Sequence, residues 1–358
     1  MAGGFVDLRR VAIVLVCLAV IIILVACYFY LHHTGAVPPA ALGTAPSVVS
    51  LLPAQAPFVI YANVSALRQS EFLERLVALI PPPAEDPEYS EFVRATGFDY
   101  SHDLDRVGVA ILPTSPQPTI WAIADGHFDP QRIAAYAQRT GKSVQRDGRA
   151  AYVIPNSQGS GEVTLSFLSP TRIELINNPN GGSQVSTLLP TNDANGEAMK
   201  ERIHNVAASS VFAVARMDSV PKDVILGSLS LDQVATFLQN VQWLSISAVP
   251  AGKNLRVVLE GKCDSSIHAA NLQLGLQGFK FVGRAMLRQS SVRKQFTPEG
   301  AAALTTLIGI IDISRGDQSV ALSATFTPDL LAGLAAPPPQ QHQSPSSKAA
   351  STPGKAKP

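Results

Sequence analysis

The chain has 358 residues, 46% of them hydrophobic, with 28 Lys+Arg against 27 Asp+Glu. A formal net charge of +1 leaves no basic surplus to neutralise phosphates, which excludes nucleic-acid binding as an organising function. Of the three cysteines, Cys17 and Cys27 fall in one apolar run; Cys263 alone remains beyond it, so no disulfide is expected in the rest of the chain.

That run, Val11 to Leu31, holds 21 residues with no charge and no proline. About 20 such residues span a hydrocarbon core as a helix. Arg9 and Arg10 precede it and the next Lys or Arg is Arg68, so the positive-inside bias keeps residues 1–10 in the cytoplasm and exports the rest. We expect an uncleaved signal-anchor. Leu24-Val25-Ala26-Cys27 keeps a second reading open, a lipobox with Cys27 as the lipidated residue. The apolar continuation Tyr28-Phe29-Tyr30-Leu31 extends a spanning helix instead. Cleavage by the general signal peptidase fits least well, because no A-x-A site closes the run.

Residues 32–47 form a Pro/Gly/Ala linker. Phe58 to Val64 is a strand-like run, followed by a helix over 65–80 with Ser65 as a suitable cap and Pro81-Pro82-Pro83 as its stop. A second helix over 87–96 ends at Gly97. Strands are predicted at 107–112 and 119–124, with Thr114 to Pro118 turning between them. Asp129-Pro130 opens a helix that closes at Gly141, and strands follow at 151–154, 162–168 and 172–176. The second half starts again with Val211 to Met217, and helical patterning follows Asp218. Strands at 241–249 and 255–260 come next, then a helix capped by Asp264 or Ser265 and reaching Arg288. A helix over 298–308 and a hairpin, 310–314 with 319–326, complete it. Both halves read β-α-β-β-α-β-β. The predicted fold class is therefore α+β: two similar modules, 48–192 and 193–336, with mostly antiparallel sheets covered on one face by helices, plus one N-terminal transmembrane helix. Residues 337–358 carry no large apolar side chain and are expected to be disordered.

Two segments carry a resemblance: Leu51 to Pro57 before the first apolar run, and Thr96 to Val107. Together they resemble bacterial envelope proteins with a single N-terminal anchor and a duplicated α+β exported region, a group with no known activity. The resemblance spans roughly 48–330. It implies an architecture and an address: a single-pass protein of the cytoplasmic membrane with its C-terminal portion in the periplasm. It implies no active site.

Each chemistry-bearing cluster has a plainer structural explanation. Asp125-Gly126-His127-Phe128-Asp129 gathers two carboxylates and an imidazole after a strand, yet matches no zinc spacing, and Asp129 suits a helix cap. Asp99, His102, Asp103 and Asp105 lack the glycine and terminal glutamate of a calcium loop. Asn180-Gly181-Gly182-Ser183 and Gly159-Ser160-Gly161 lack the partners of phosphate-binding loops, and neither G-x-S-x-G nor H-E-x-x-H occurs. Arg315-Gly316-Asp317 reads as a hairpin turn with Gly316 at positive φ, Asn63-Val64-Ser65 as a silent sequon, and Cys263 as a buried apolar residue. The helix 265–288, with Ile267, Leu272, Leu274, Leu276, Phe279, Val282 and Met286, packs on a sheet, docks a partner, or covers a long ligand.

The sequence thus predicts a non-enzymatic envelope interaction or assembly module, attached to the bilayer through its N-terminal helix and facing another envelope protein. A tethered binding domain for a small apolar or lipid ligand is one alternative. A hydrolase using His127, Asp125 or His102 is the other. No metal and no cofactor are expected.

Overall fold

The computed structural model describes residues 47–79, 87–114, 118–146, 148–155, 161–178, 194–219, 239–293 and 296–335. The run Val11–Leu31 with Cys27, the linker 32–46, the turns at 159–160 and 180–183, the segment after Ser219 and the tail 337–358 lie outside these residues.

The architecture is mixed α+β, built on one 12-stranded sheet in which every pairing is antiparallel. The strands are β1 (Phe58–Asn63), β2 (Leu104–Leu112), β3 (Thr119–Gly126), β4 (Lys142–Arg146), β5 (Arg149–Pro155) and β6 (Glu162–Ser169). Then come β7 (Arg172–Asn178), β8 (Val211–Arg216), β9 (Val241–Ala251), β10 (Asn254–Cys263), β11 (Asp312–Arg315) and β12 (Ser319–Phe326). Their order across the sheet is β11-β12-β10-β9-β8-β1-β2-β3-β7-β6-β5-β4. The sequence reading expects a sheet in each half; instead β1 and β8, the opening strand of each half, pair with each other from Phe58↔Ala215 to Ala62↔Val211. Both strands are nearly all apolar, as strands covered on two faces must be, and joining them removes two apolar edges. Outward from this pair, each side reads first, second and third strand, then the chain's returning strand, β7 or β12, beside the third.

The helices are α1 (Val64–Arg68), α2 (Glu71–Leu79), α3 (Pro87–Thr96), α4 (Tyr100–Asp103), α5 (Pro130–Thr140), α6 (Ala194–Val206), α7 (Ser266–Leu287), α8 (Ser290–Arg293), α9 (Pro298–Ile310) and α10 (Pro328–Ala335). The single helix expected over 65–80 is two. The Ser70 hydroxyl donates to the Leu67 carbonyl at 2.6 Å and accepts the Leu73 amide at 3.2 Å, ending α1 and starting α2. Asn63, not Ser65, caps α1, its side-chain oxygen accepting the Ala66 amide at 3.0 Å. Five of these elements escape the sequence reading, α4 and α8 because each is a single turn. The edge strand β4 is charged and exposed, without apolar alternation; α6 buries only Met199 and Ile203 among its large apolar residues; α10 is short. Gly316 is not among the glycines with positive φ. A Cβ there would meet the Ser319 hydroxyl at 2.8 Å, a side-chain tip that can turn aside.

Helices cover both faces of the central strands, not one. On one face, Ala62, Leu104, Ala124, Val211, Ala248 and Leu255 pack under α1, α2, α9 and α10, anchored by Phe72, Leu76, Leu307 and Leu331. On the other, Val59, Tyr61, Trp121, Ile123, Phe212 and Val214 lie under α6 and the segment from Val48 to Ala56, and Tyr61 and Phe212 meet ring to ring at 5.0 Å. Val48 is fully buried against this face. Residues 48–52 cross β2 at Gly108, where a Cβ would come 3.3 Å from Leu52.

Candidate functional site

Asp125 is the sequence-nominated carboxylate that the fold treats most distinctively. It stands near the end of β3, directly across from Arg172 on β7. The guanidinium grips it with two bonds, Nε to Oδ1 at 2.6 Å and Nη2 to Oδ2 at 2.9 Å, and Nη2 also donates to the Ser47 hydroxyl at 2.6 Å. Both side chains are largely buried, and the bond to Asp125 raises the Arg172 guanidinium further above its already high value. Close by, burial pushes the Tyr61 phenol up, with Arg106 opposing and Asp125 adding to the rise. Both carboxylate oxygens are thus engaged by the guanidinium, which ties β3, β7 and Ser47 together.

The other nominated acid–base groups do not converge on it. His127 is 71% exposed, and its nearest charged partner is Asp105 at 3.9 Å. His102 sits in α4, where its carbonyl accepts from Arg68. Asp99 caps α4, accepting the Ser101 amide at 2.9 Å, the Ser101 hydroxyl at 2.6 Å and the Tyr89 hydroxyl at 2.9 Å. Burial alone would raise the Asp99 carboxyl; those hydrogen bonds outweigh it and leave the pKa below the ordinary carboxylate value. Asp103 accepts the Asp99 amide at 2.8 Å, and Asp129 caps α5 by accepting the Gln131 and Arg132 amides. No group of three or more His, Cys, Asp or Glu able to hold a metal occurs among the described residues. Cys263 is buried, and burial first, then Asp264, pushes its thiol up, which makes it a poor nucleophile. Arg315 belongs to β11 and Asp317 to the turn after it.

Two surfaces that single-residue motifs do not reveal are more open. The first is a shallow dent between α6 and strands β8–β10, lined by Arg202, Asn205, Trp243, Ser245, Glu260 and Lys262. The second is apolar and lies on the α1–α2 face of the sheet, beyond the part those helices cover. Register aligns Leu244, Ala215, Phe58, Ile111 and Ile120 in one row across five strands, with Ile246, Ala213, Ile60, Val109 and Ala122 in the next. Phe58, Ile60, Val109, Ile111 and Leu244 are half-buried and Ile120 is 38% exposed. Register across non-consecutive strands builds these rows, so only the pairing β8-β1, absent from any local pattern, could have announced them.

Neither the family models nor the curated proteins include a match to this chain. Among solved structures, the chain is similar to the Treponema protein TP0453. Its crystal form III superposes with a TM-score of 0.44 at 11% identity, covering 81% of this chain and 97% of that one. Crystal form I gives 0.42 at 10%, covering 78% and 92%. A likeness of that size carries no functional argument. No helix among the described residues is long and apolar enough to cross a membrane.

Proposed function

We propose that this chain is a membrane-tethered envelope protein acting as a non-enzymatic interaction or assembly module. Its anchor is Val11–Leu31 and its body is a duplicated α+β unit outside the cytoplasm. The duplication is supported by strand order: β1-β2-β3 and β8-β9-β10 run outward from a shared centre, each continuing through helix into a returning strand beside its third. The tether is supported by the uncharged 21-residue run behind Arg9-Arg10. The observation that carries the non-enzymatic reading is the dispersal of the acid–base candidates: Asp125 is locked to Arg172, Asp99 and Asp129 are helix caps, and His127 is exposed, 3.9 Å from Asp105. Catalysis needs such groups to converge on one reacting atom.

Crosslinking in intact cells, followed by identification of what is joined to the chain, tests this. Reproducible capture of another envelope protein supports it; capture of none, with lipid co-purifying instead, overturns it. That second outcome has its own support in the half-buried apolar rows around Phe58, Ile60 and Leu244, a surface suited to an acyl chain or other apolar ligand. Exchanging Ile60 for Asn should then strip the co-purifying lipid.

A further inference from the structure

Helix α7 is apolar on two opposite sides. At 100° per residue, Ala269, Leu272, Gly283 and Leu287 share the side buried against the sheet and α9. Ile267, Leu274 and Phe281 follow one another at seven-residue intervals on the reverse side, where they are 71%, 66% and 75% exposed, with Val282 beside them. A surface helix ordinarily turns charge to solvent there, so three large side chains in line mark a face that is covered in use. The charges are unusual too. In a chain with balanced acids and bases, residues 265–298 contain Lys280, Arg284, Arg288, Arg293 and Lys294 and no Asp or Glu. Lys280, Arg284 and Arg288 recur every four residues along one flank of the apolar stripe. Lys280 donates to the Ile311 carbonyl and Arg284 reaches the Gly309 carbonyl at 3.5 Å, so the end of α9 props the flank in place; Arg284, Arg288 and Arg293 are exposed.

We infer that the outward side of α7 docks on an anionic lipid surface, with Ile267, Leu274 and Phe281 entering the headgroup boundary and the arginines meeting lipid phosphates. A basic flank beside an apolar stripe is the pattern of interfacial helices. A second copy of the chain suits the face less well. Two-fold pairing along the stripe would bring two basic flanks together with no acidic residue on α7 to offset them. The proposed tether supplies only local concentration; recognition belongs to α7 itself.

The test uses the full chain carrying Phe281→Trp, mixed with vesicles of phosphatidylcholine alone or with phosphatidylglycerol, the acyl chains brominated. The emission of the added tryptophan is read as the difference from the parent protein. Quenching should be roughly twofold stronger with phosphatidylglycerol and fall with added salt. Arg284→Ser with Arg288→Ser, both at exposed positions, should abolish the difference without changing the circular dichroism spectrum, and Leu274→Ser should weaken quenching in both vesicles. Equal quenching in the two vesicles, or none, overturns the inference, as does Phe281→Cys forming disulfide-linked pairs of the chain in the presence of vesicles. Flotation with neutral vesicles separately reports the N-terminal anchor, so a chain that fails to float there yet is quenched by phosphatidylglycerol refutes the anchor and keeps the α7 surface.

Discussion

Asp125 and Arg172 are 47 positions apart in sequence and face each other across one strand pair. Removing either leaves the other largely buried and charged without its ion-pair partner, which costs more than the pair itself contributes. Asp125→Ala and Arg172→Ala should each lower unfolding stability by about 2–3 kcal/mol in urea titrations. Arg172→Lys should recover only part of this, because an ammonium cannot fork. If Asp125 instead served as an acid or base, its loss would leave stability intact. Asp99 is measured by acid. Its folded pKa lies below the ordinary value near 4. Its contribution is therefore present above that value and lost as pH falls through the folded pKa. Denaturation midpoints followed from neutral pH downward should drop more steeply below about pH 4 in the parent than in Asp99→Asn, which starts lower and stays flatter.

Helices and strands differ in how far the sequence announces them. The capping of α5 by Asp129-Pro130, of α7 by Ser265 and the stop of α3 at Gly97 (φ 74°) are legible because each rests on contacts within a few residues. The break at Ser70 is not, since a serine inside an apolar periodic run is compatible with either outcome. The edge strand β4 and the β1–β8 pairing depend on partners distant in the chain. Among the candidate sites, the structural jobs of Asp99 and Asp129 could be read locally, whereas Arg172's grip on Asp125 could not. Close approach of elements is equally hidden: a Cβ on Gly126 would lie 2.3 Å from the Asp103 carbonyl oxygen. Gly126→Ala must therefore push β3 away from the end of α4, and we expect destabilisation of about 2 kcal/mol or more. Leu76, 1% exposed, seats α2 on the sheet; Leu76→Ala should lose about 2–4 kcal/mol, and hydrogen exchange should quicken first in α2 and α10, which pack together.

A sheet of 12 strands in one layer has long faces, and this one is dressed unevenly. Its centre is covered on both sides; the apolar rows beside it are half-open, and α7 turns a second apolar side outward. These open apolar faces and the uncharged N-terminal run are what the proposed envelope module rests on. The arrangement depends on the body lying across the bilayer from residues 1–10. Trypsin added to intact spheroplasts that carry the full chain measures this directly. The account predicts that the body is digested without lysis, while a short N-terminal fragment stays with the membrane; a body protected until the spheroplasts are broken would contradict it.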